Sequence, residues 1–153
     1  MHEIRTICSG LVLPQIEGAD LKEIIERALK AHKQRTNTTV RLSMSTTSPP
    51  LSALSLSAKI CVYRFLQEAL NNGFRHIGGA GQYVVQTFDG ENVSITVGDS
   101  GPGFEPEKIK PSSLGLSGLR ERVESLGGHF DLKTSNQGTV LRMSLNLHEM
   151  ESA

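Results

Sequence analysis

Gln82-Tyr-Val-Val-Gln-Thr-Phe-Asp-Gly-Glu-Asn-Val-Ser-Ile-Thr-Val-Gly-Asp99 decides the fold class. Asp89-Gly90 is a strong hairpin signal between two β-prone runs, so antiparallel strands are expected at about 82–88 and 92–98. In the second strand Val93, Ile95, Val97 and Asp99 share one face by the period of two. Three apolar members turn that face toward a core, and Asp99 goes with them. A carboxylate at the end of an apolar row needs a partner, because an unpaired buried charge is costly.

Outward toward the C-terminus, Asp99-Ser-Gly-Pro-Gly103 lets the backbone bend and approach a ligand closely. The exocyclic amino group of a purine is one partner Asp99 could take; a turn in which Asp99 bonds its own backbone is the plainer alternative. A Gly- and Pro-rich loop spans 99–115. Gly115-Leu-Ser-Gly118 then runs into a helix expected at about 117–126, ended by Gly127-Gly128. Free N–H groups and the dipole at such a helix start favour an anion; an ordinary loop with a Ser117 cap is the plainer alternative from this segment alone. Strands at about 129–135 and 139–147 flank a turn at Asn136-Gln137-Gly138.

Outward toward the N-terminus lies a long helix, from about Ser55 to Ile77. Its apolar stripe reads Leu56, Ile60, Tyr63, Leu66, Leu70, Phe74 and Ile77. Glu68 and Asn72 stand four apart on a face roughly opposite that stripe, with Arg75 on the same side. A carboxylate, a carboxamide and a cation there suit a hard metal ion and phosphates; a solvated polar face is the plainer alternative. Val40, Leu42 and Met44 predict a half-buried strand. Leu21, Ile24, Ile25, Ala28 and Leu29 give a helix over 21–35, with Asp20 and Glu23 as its capping box. Ile4, Ile7, Cys8 and Leu11 have helical spacing that Pro14 stops, so residues 1–10 are read as the stub of a preceding helix. The element order predicts an α+β fold, a mixed and mostly antiparallel sheet with helices on one face.

The 153 residues suit one compact domain. Lys plus Arg and Asp plus Glu both number 16, which argues against a nucleic-acid-binding domain. Neither a signal peptide nor an apolar run long enough to span a membrane is legible. Cys8 and Cys61 lie far apart and outside any zinc or redox motif, so both read as small buried hydrophobes of a reducing compartment.

In combination, Gln67-Glu-Ala-Leu-Asn-Asn72 with Arg75-His76, Asp99-x-Gly-x-Gly103 and Gly115-Leu-Ser-Gly-Leu-Arg-Glu-Arg122 resemble the N box and two glycine boxes of the GHKL (Bergerat) ATP-binding fold. That fold is a two-layer α/β sandwich shared by histidine kinases, DNA gyrase, a heat-shock chaperone family and the MutL proteins. The form GLxGLRERV…LGG is most similar to NarL- and DesK-like sensor kinases. The resemblance covers about 20–147 and implies a kinase catalytic domain at 19–148. Residues 1–18 would be the end of a dimerisation helix and a linker, and 149–153 a tail.

By that resemblance Asp99 accepts from the adenine amino group, and Gly101 and Gly103 shape the adenine pocket. Asn72 ligates magnesium, with Asn71 as a second amide beside it. Glu68 serves phosphoryl transfer as base or water-positioning group. Arg75, His76, Gly115, Leu116 and Gly118 belong to the ATP site, the two glycines at the phosphates, and Thr139 supports the adenine site. Residues 104–114 would be the ATP lid. Gly73 departs from good helix chemistry by roughly 0.5–1 kcal/mol relative to Ala.

The implied partners are ATP with Mg2+, a dimerisation domain bearing the phosphoacceptor histidine, and a response regulator, all cytoplasmic. None of His2, His32, His76, His129 or His148 is read as the acceptor, so the chain alone should be mostly monomeric and make no phosphohistidine. An anti-sigma-factor serine kinase and a catalytically silent module of the same fold are the alternatives. GLxGLRERV argues against the first, and the intact Glu68, Asn72 and Asp99 argue against the second.

Overall fold

The computed structural model describes residues 16, 18–45, 49, 54–77, 81–99, 117–135 and 138–147, with backbone alone for 75–77, 117 and 135. The stub read over 1–10, most of the linker to 18, the glycines at 101, 103 and 115, Leu116, the lid at 104–114 and the tail lie outside the described residues.

Helix α1 is Leu21–Thr36. Its capping box forms as the sequence predicts. Glu23 N–H donates to Asp20 Oδ1 at 2.8 Å, and Asp20 N–H donates to Glu23 Oε1 at 3.0 Å. The helix ends at Asn37 in the left-handed conformation (φ 58°), whose N–H reaches Lys33 O. Strand β1, Arg41–Met44, runs parallel to β2, Tyr83–Phe88, and β2 runs antiparallel to β3, Asn92–Gly98. Helix α2 is Leu56–Ile77 and α3 is Ser117–Ser125. Strands β4, His129–Ser135, and β5, Gly138–Asn146, complete one five-stranded sheet in the order β1-β2-β3-β5-β4. Among the described strands only the β1–β2 pair is parallel, so the sheet is mixed and mostly antiparallel.

The hairpin forms where Asp89-Gly90 predicts it, with a wider turn than two residues. Phe88 and Val93 are the last paired residues. Asp89 closes the turn by accepting from Asn92 N–H at 2.7 Å and Glu91 N–H at 2.9 Å. Those bonds hold its carboxyl below the usual carboxylate range, the one from Asn92 most of all.

Two expectations need correction. Leu42 is exposed, on β1 at the edge of the sheet among the described strands; Val40 and Met44 do pack against the core. The buried arc of α2 is also wider than the apolar stripe and turned toward the sheet. Leu56 is 46% exposed, whereas Ala58, Cys61, Val62, Phe65 and Ala69 are buried with Tyr63, Leu66 and Leu70. At about 100° per residue these make two adjoining faces. Of the described elements, α2 packs against α1 on one side and touches the sheet and α3 as well. Small residues such as Ala58 and Cys61 leave no mark in a pattern of large hydrophobes, so the apolar stripe lies about a quarter turn from the centre of the buried arc.

Phe65 anchors the sheet-facing side and meets Phe130 of β4 edge-on, centroids 6.0 Å apart. Truncating so buried a ring to Ala should cost about 3–5 kcal/mol. Cys61 lies deep in the same core, and burial pushes its thiol up to about 11. It is chemically inert there, as its reading as a small hydrophobe requires. Cys8 lies outside the described residues. Among the described residues no helix is long and apolar enough to cross a membrane.

Candidate functional site

The wider arc of α2 decides where Asn72 goes. The polar face was expected opposite the core, but Asn72 lies in line with Phe65 and Ala69 and is buried against the sheet. Glu68, one turn earlier, and Asn71, beside it, are half-buried. The helix therefore carries one carboxamide inward and leaves the carboxylate half-buried one turn earlier.

Asp99 follows the last residue of β3 and continues its inward face after Val93, Ile95 and Val97, all buried. Pairing to β5 fixes its backbone. Asp99 N–H donates to Thr139 O at 3.1 Å, and Thr139 N–H donates to Asp99 Oδ1 at 3.3 Å. Thr139 Oγ1 bonds Thr134 Oγ1 across the β4–β5 pair at 3.0 Å. Gly138 has φ 139°, and a Cβ there would collide with the Asp99 carbonyl, so glycine is demanded on both counts.

Asn72, Asp99 and Thr139 line one pocket together with Ala69, Gly73, Gln82, Val97, Gly98, Leu132 and Leu141. The cavity they enclose is narrow, about 20 Å³, and partly open to solvent. Its walls are mostly apolar and its polar groups few. That composition suits a flat aromatic ring gripped at one edge by a carboxylate. Asn72 lines the pocket and Glu68 is half-buried one helical turn earlier; both carry oxygen donors of the kind magnesium takes. Among the described residues no cluster of three or more His, Cys, Asp or Glu could hold a metal by itself.

The described residues bring together Asn72, Asp99 and Thr139, with Glu68 one turn away. They do not bring Gly118 to this pocket. Gly118 is exposed and borders a separate depression with Ser57, Ile60, Glu121 and Arg122. Arg75 and His76 close α2, and of their side chains nothing is described.

Sequence reasoning missed Gln82, and it missed why position 73 is glycine. A Cβ on Gly73 would stand 2.5 Å from Gln82 Nε2 and 3.8 Å from Asp99 Oδ2. The helix-weakening glycine is the signal that was available: something had to approach α2 closely at that point. Gln82 itself carried no signal, because its partners are 12 and 50 residues away.

Residues 58–149 match the family described as histidine kinase-, DNA gyrase B-, and HSP90-like ATPase. The sensor histidine kinase LiaS of Bacillus subtilis (strain 168) is 26% identical over 98% of this chain and 41% of its own length. The sensor histidine kinase MctS of Rhizobium johnstonii is 30% identical over 92% of this chain and 31% of its own. The chain thus spans less than half the length of these curated relatives. Two solved structures share the fold. The histidine kinase domain of the Erythrobacter litoralis EL346 blue-light activated histidine kinase has a TM-score of 0.65 at 20% identity, over 84% of this chain and 61% of that one. The Acinetobacter baumannii histidine kinase AdeS has a TM-score of 0.68 at 17% identity, over 95% of this chain and 75% of that one. The chain belongs to the histidine kinase-, DNA gyrase B-, and HSP90-like ATPase family and stands within it among the ATP-binding domains of sensor histidine kinases.

Proposed function

We propose that this chain is the catalytic domain of a two-component sensor histidine kinase. It transfers the γ-phosphate of ATP to a histidine on a dimerisation domain outside residues 1–153, and a response regulator acts downstream at the cytoplasmic face. The observation that carries this reading is the meeting of Asn72, Asp99 and Thr139 in one pocket, from three separate elements.

Asp99 accepts from the adenine amino group, held in place by its two bonds to Thr139. Ala69, Val97, Leu132 and Leu141 enclose the ring and keep water from that edge. Asn72 would offer its carboxamide oxygen to magnesium from the pocket wall. Magnesium, when bound, would neutralise the charge of the phosphates. By the family resemblance Arg75, His76, Gly115, Leu116 and Gly118 would serve the phosphate end, Gly118 from the neighbouring depression, and Gly101 and Gly103 the base end. Glu68, half-buried one helical turn before Asn72, takes or orients a proton during transfer. Replacing it with Gln should slow transfer by about 10²–10⁴-fold and leave nucleotide affinity nearly intact, because a base acts in the transition state.

His32 supports the expectation that the acceptor lies elsewhere: it is buried and hydrogen-bonded within the fold. A radiolabelled phosphate assay with a supplied dimerisation domain tests the whole reading. Acid-labile phosphohistidine on the added domain is expected, with none on this chain. Acid-stable phosphoserine would assign the chain to serine kinases, and no product in any pairing would make it a silent binding module.

A further inference from the structure

We propose that Gln82 is a specificity-determining residue of the purine pocket. Its carboxamide takes the place of a side chain at position 73 and sets how much room the base has beside Asp99. This rests on the reading of the pocket as an adenine site.

Gln82 is 2% exposed and lines the pocket with Gly73 and Asp99. Both ends of its amide are held. Arg35 Nη2 lies 3.2 Å from His32 Nδ1. A guanidinium can only donate, so Nδ1 accepts and the imidazole is neutral with its proton on Nε2. His32 Nε2–H therefore donates to Gln82 Oε1 at 3.1 Å, and Gln82 Nε2–H donates to Leu70 O at 2.9 Å. Turning the amide over would set donor against donor and acceptor against acceptor. Phe74 meets the imidazole edge to face, with centroids 6.2 Å apart. The wall is rigid because α1 and α2 both hold it.

Its position matters because of what is missing opposite. The point where a Cβ of Gly73 would stand is 2.5 Å from Gln82 Nε2 and 3.8 Å from Asp99 Oδ2. The amide thus fills the space next to the carboxylate that grips the base edge. Enlarging the base at that edge brings it toward Gln82, and shortening Gln82 makes room for it.

The test compares ADP with N6-methyl-ADP by calorimetry, with magnesium, on the full chain. Wild type should prefer ADP by about 10-fold or more, the usual cost of one methyl group in a fitted pocket. Gln82→Ala should lower that preference several-fold, and adding Gly73→Ala should restore it in part, since the new Cβ refills the gap. Gln82→Asn keeps an amide but withdraws it by one methylene, and serves if Gln82→Ala does not fold. It should lower the preference in the same direction. The preference is a ratio, so a general loss of stability or affinity does not move it. An unchanged ratio in Gln82→Asn or Gln82→Ala, with ADP binding still weakened by Asp99→Asn, overturns the role of Gln82 alone. ADP binding that is indifferent to Asp99→Asn overturns the adenine reading and this inference together.

Discussion

Gln82 and Gln86 stand four residues apart on the same inward face of one strand edge, and they are buried alike, at 2% and 1% exposure. Their chemistry is opposite. Gln82 has both amide ends bonded, to His32 and Leu70. Gln86 has neither its Nε2 nor its Oε1 hydrogen-bonded among the described residues. A bare buried amide costs free energy with no return, whereas a satisfied one fixes geometry. Among the described residues polar burial is therefore organised at Gln82, just before β2 and beside Asp99 and Gly73, and unorganised at Gln86, farther along the strand where it pairs with Met44. What the pair teaches is that burial of a polar side chain is not itself a sign of function. The bonds that hold it decide.

The comparison breaks most directly at the pocket. Asp99→Asn should cost at least ~2 kcal/mol of ATP affinity, since an amide mispairs with the amino group that the carboxylate accepts from. No substitution at Gln86 should move ATP affinity. A calorimetric titration in which both variants behave alike would erase the difference between the two ends.

Stability sharpens it next, with the same substitution at both positions. Gln82→Met strands the His32 Nε2–H and the second bond to Leu70 O, and should destabilise by about 2 kcal/mol. Gln86→Met keeps the volume, removes two unmet polar atoms, and should stabilise by about 1 kcal/mol. Chemical denaturation reads both, and the same sign at the two positions would refute the contrast.

The smallest effect is a dependence on pH. Burial, foremost, holds the His32 imidazole below its usual 6.5; the bond to Gln82 works the other way, and the Arg35 charge adds to the lowering. The folded state then binds the proton more weakly than the unfolded one. The stability this confers is present above the unfolded value and is lost as pH falls through the folded value. Melting temperatures should fall between about pH 8 and about pH 5, and less steeply in His32→Gln. Equal slopes in the two proteins would mean that His32 titrates freely.

The same strand shows how far a sequence carries. The inward turn of Asp99 was legible because period-two alternation from Val93 to Val97 is local and the residues are large. The capping box of α1 and the hairpin at Asp89 were legible for the same reason: their partners lie within three residues. The inward turn of Asn72 was not, because the sheet-facing arc of α2 is marked by Ala58, Cys61 and Ala69, and the eye follows Leu and Ile instead. Nor was the matching of Gly73 to Gln82, which depends on chain segments brought together only by the sheet. Leu42 and Leu56 were expected to be buried and are not, since an edge strand and a helix start have fewer neighbours than their hydrophobicity suggests.

The central claim is that this pocket reads adenine through Asp99. Its most direct test is a calorimetric titration of the wild-type chain with ATP and with GTP, both with magnesium. Guanine offers a carbonyl oxygen where adenine offers the amino group, so it faces the carboxylate acceptor to acceptor. ATP should bind at least about 10-fold more tightly, the equivalent of one mispaired buried contact. Equal affinity for the two nucleotides would contradict it.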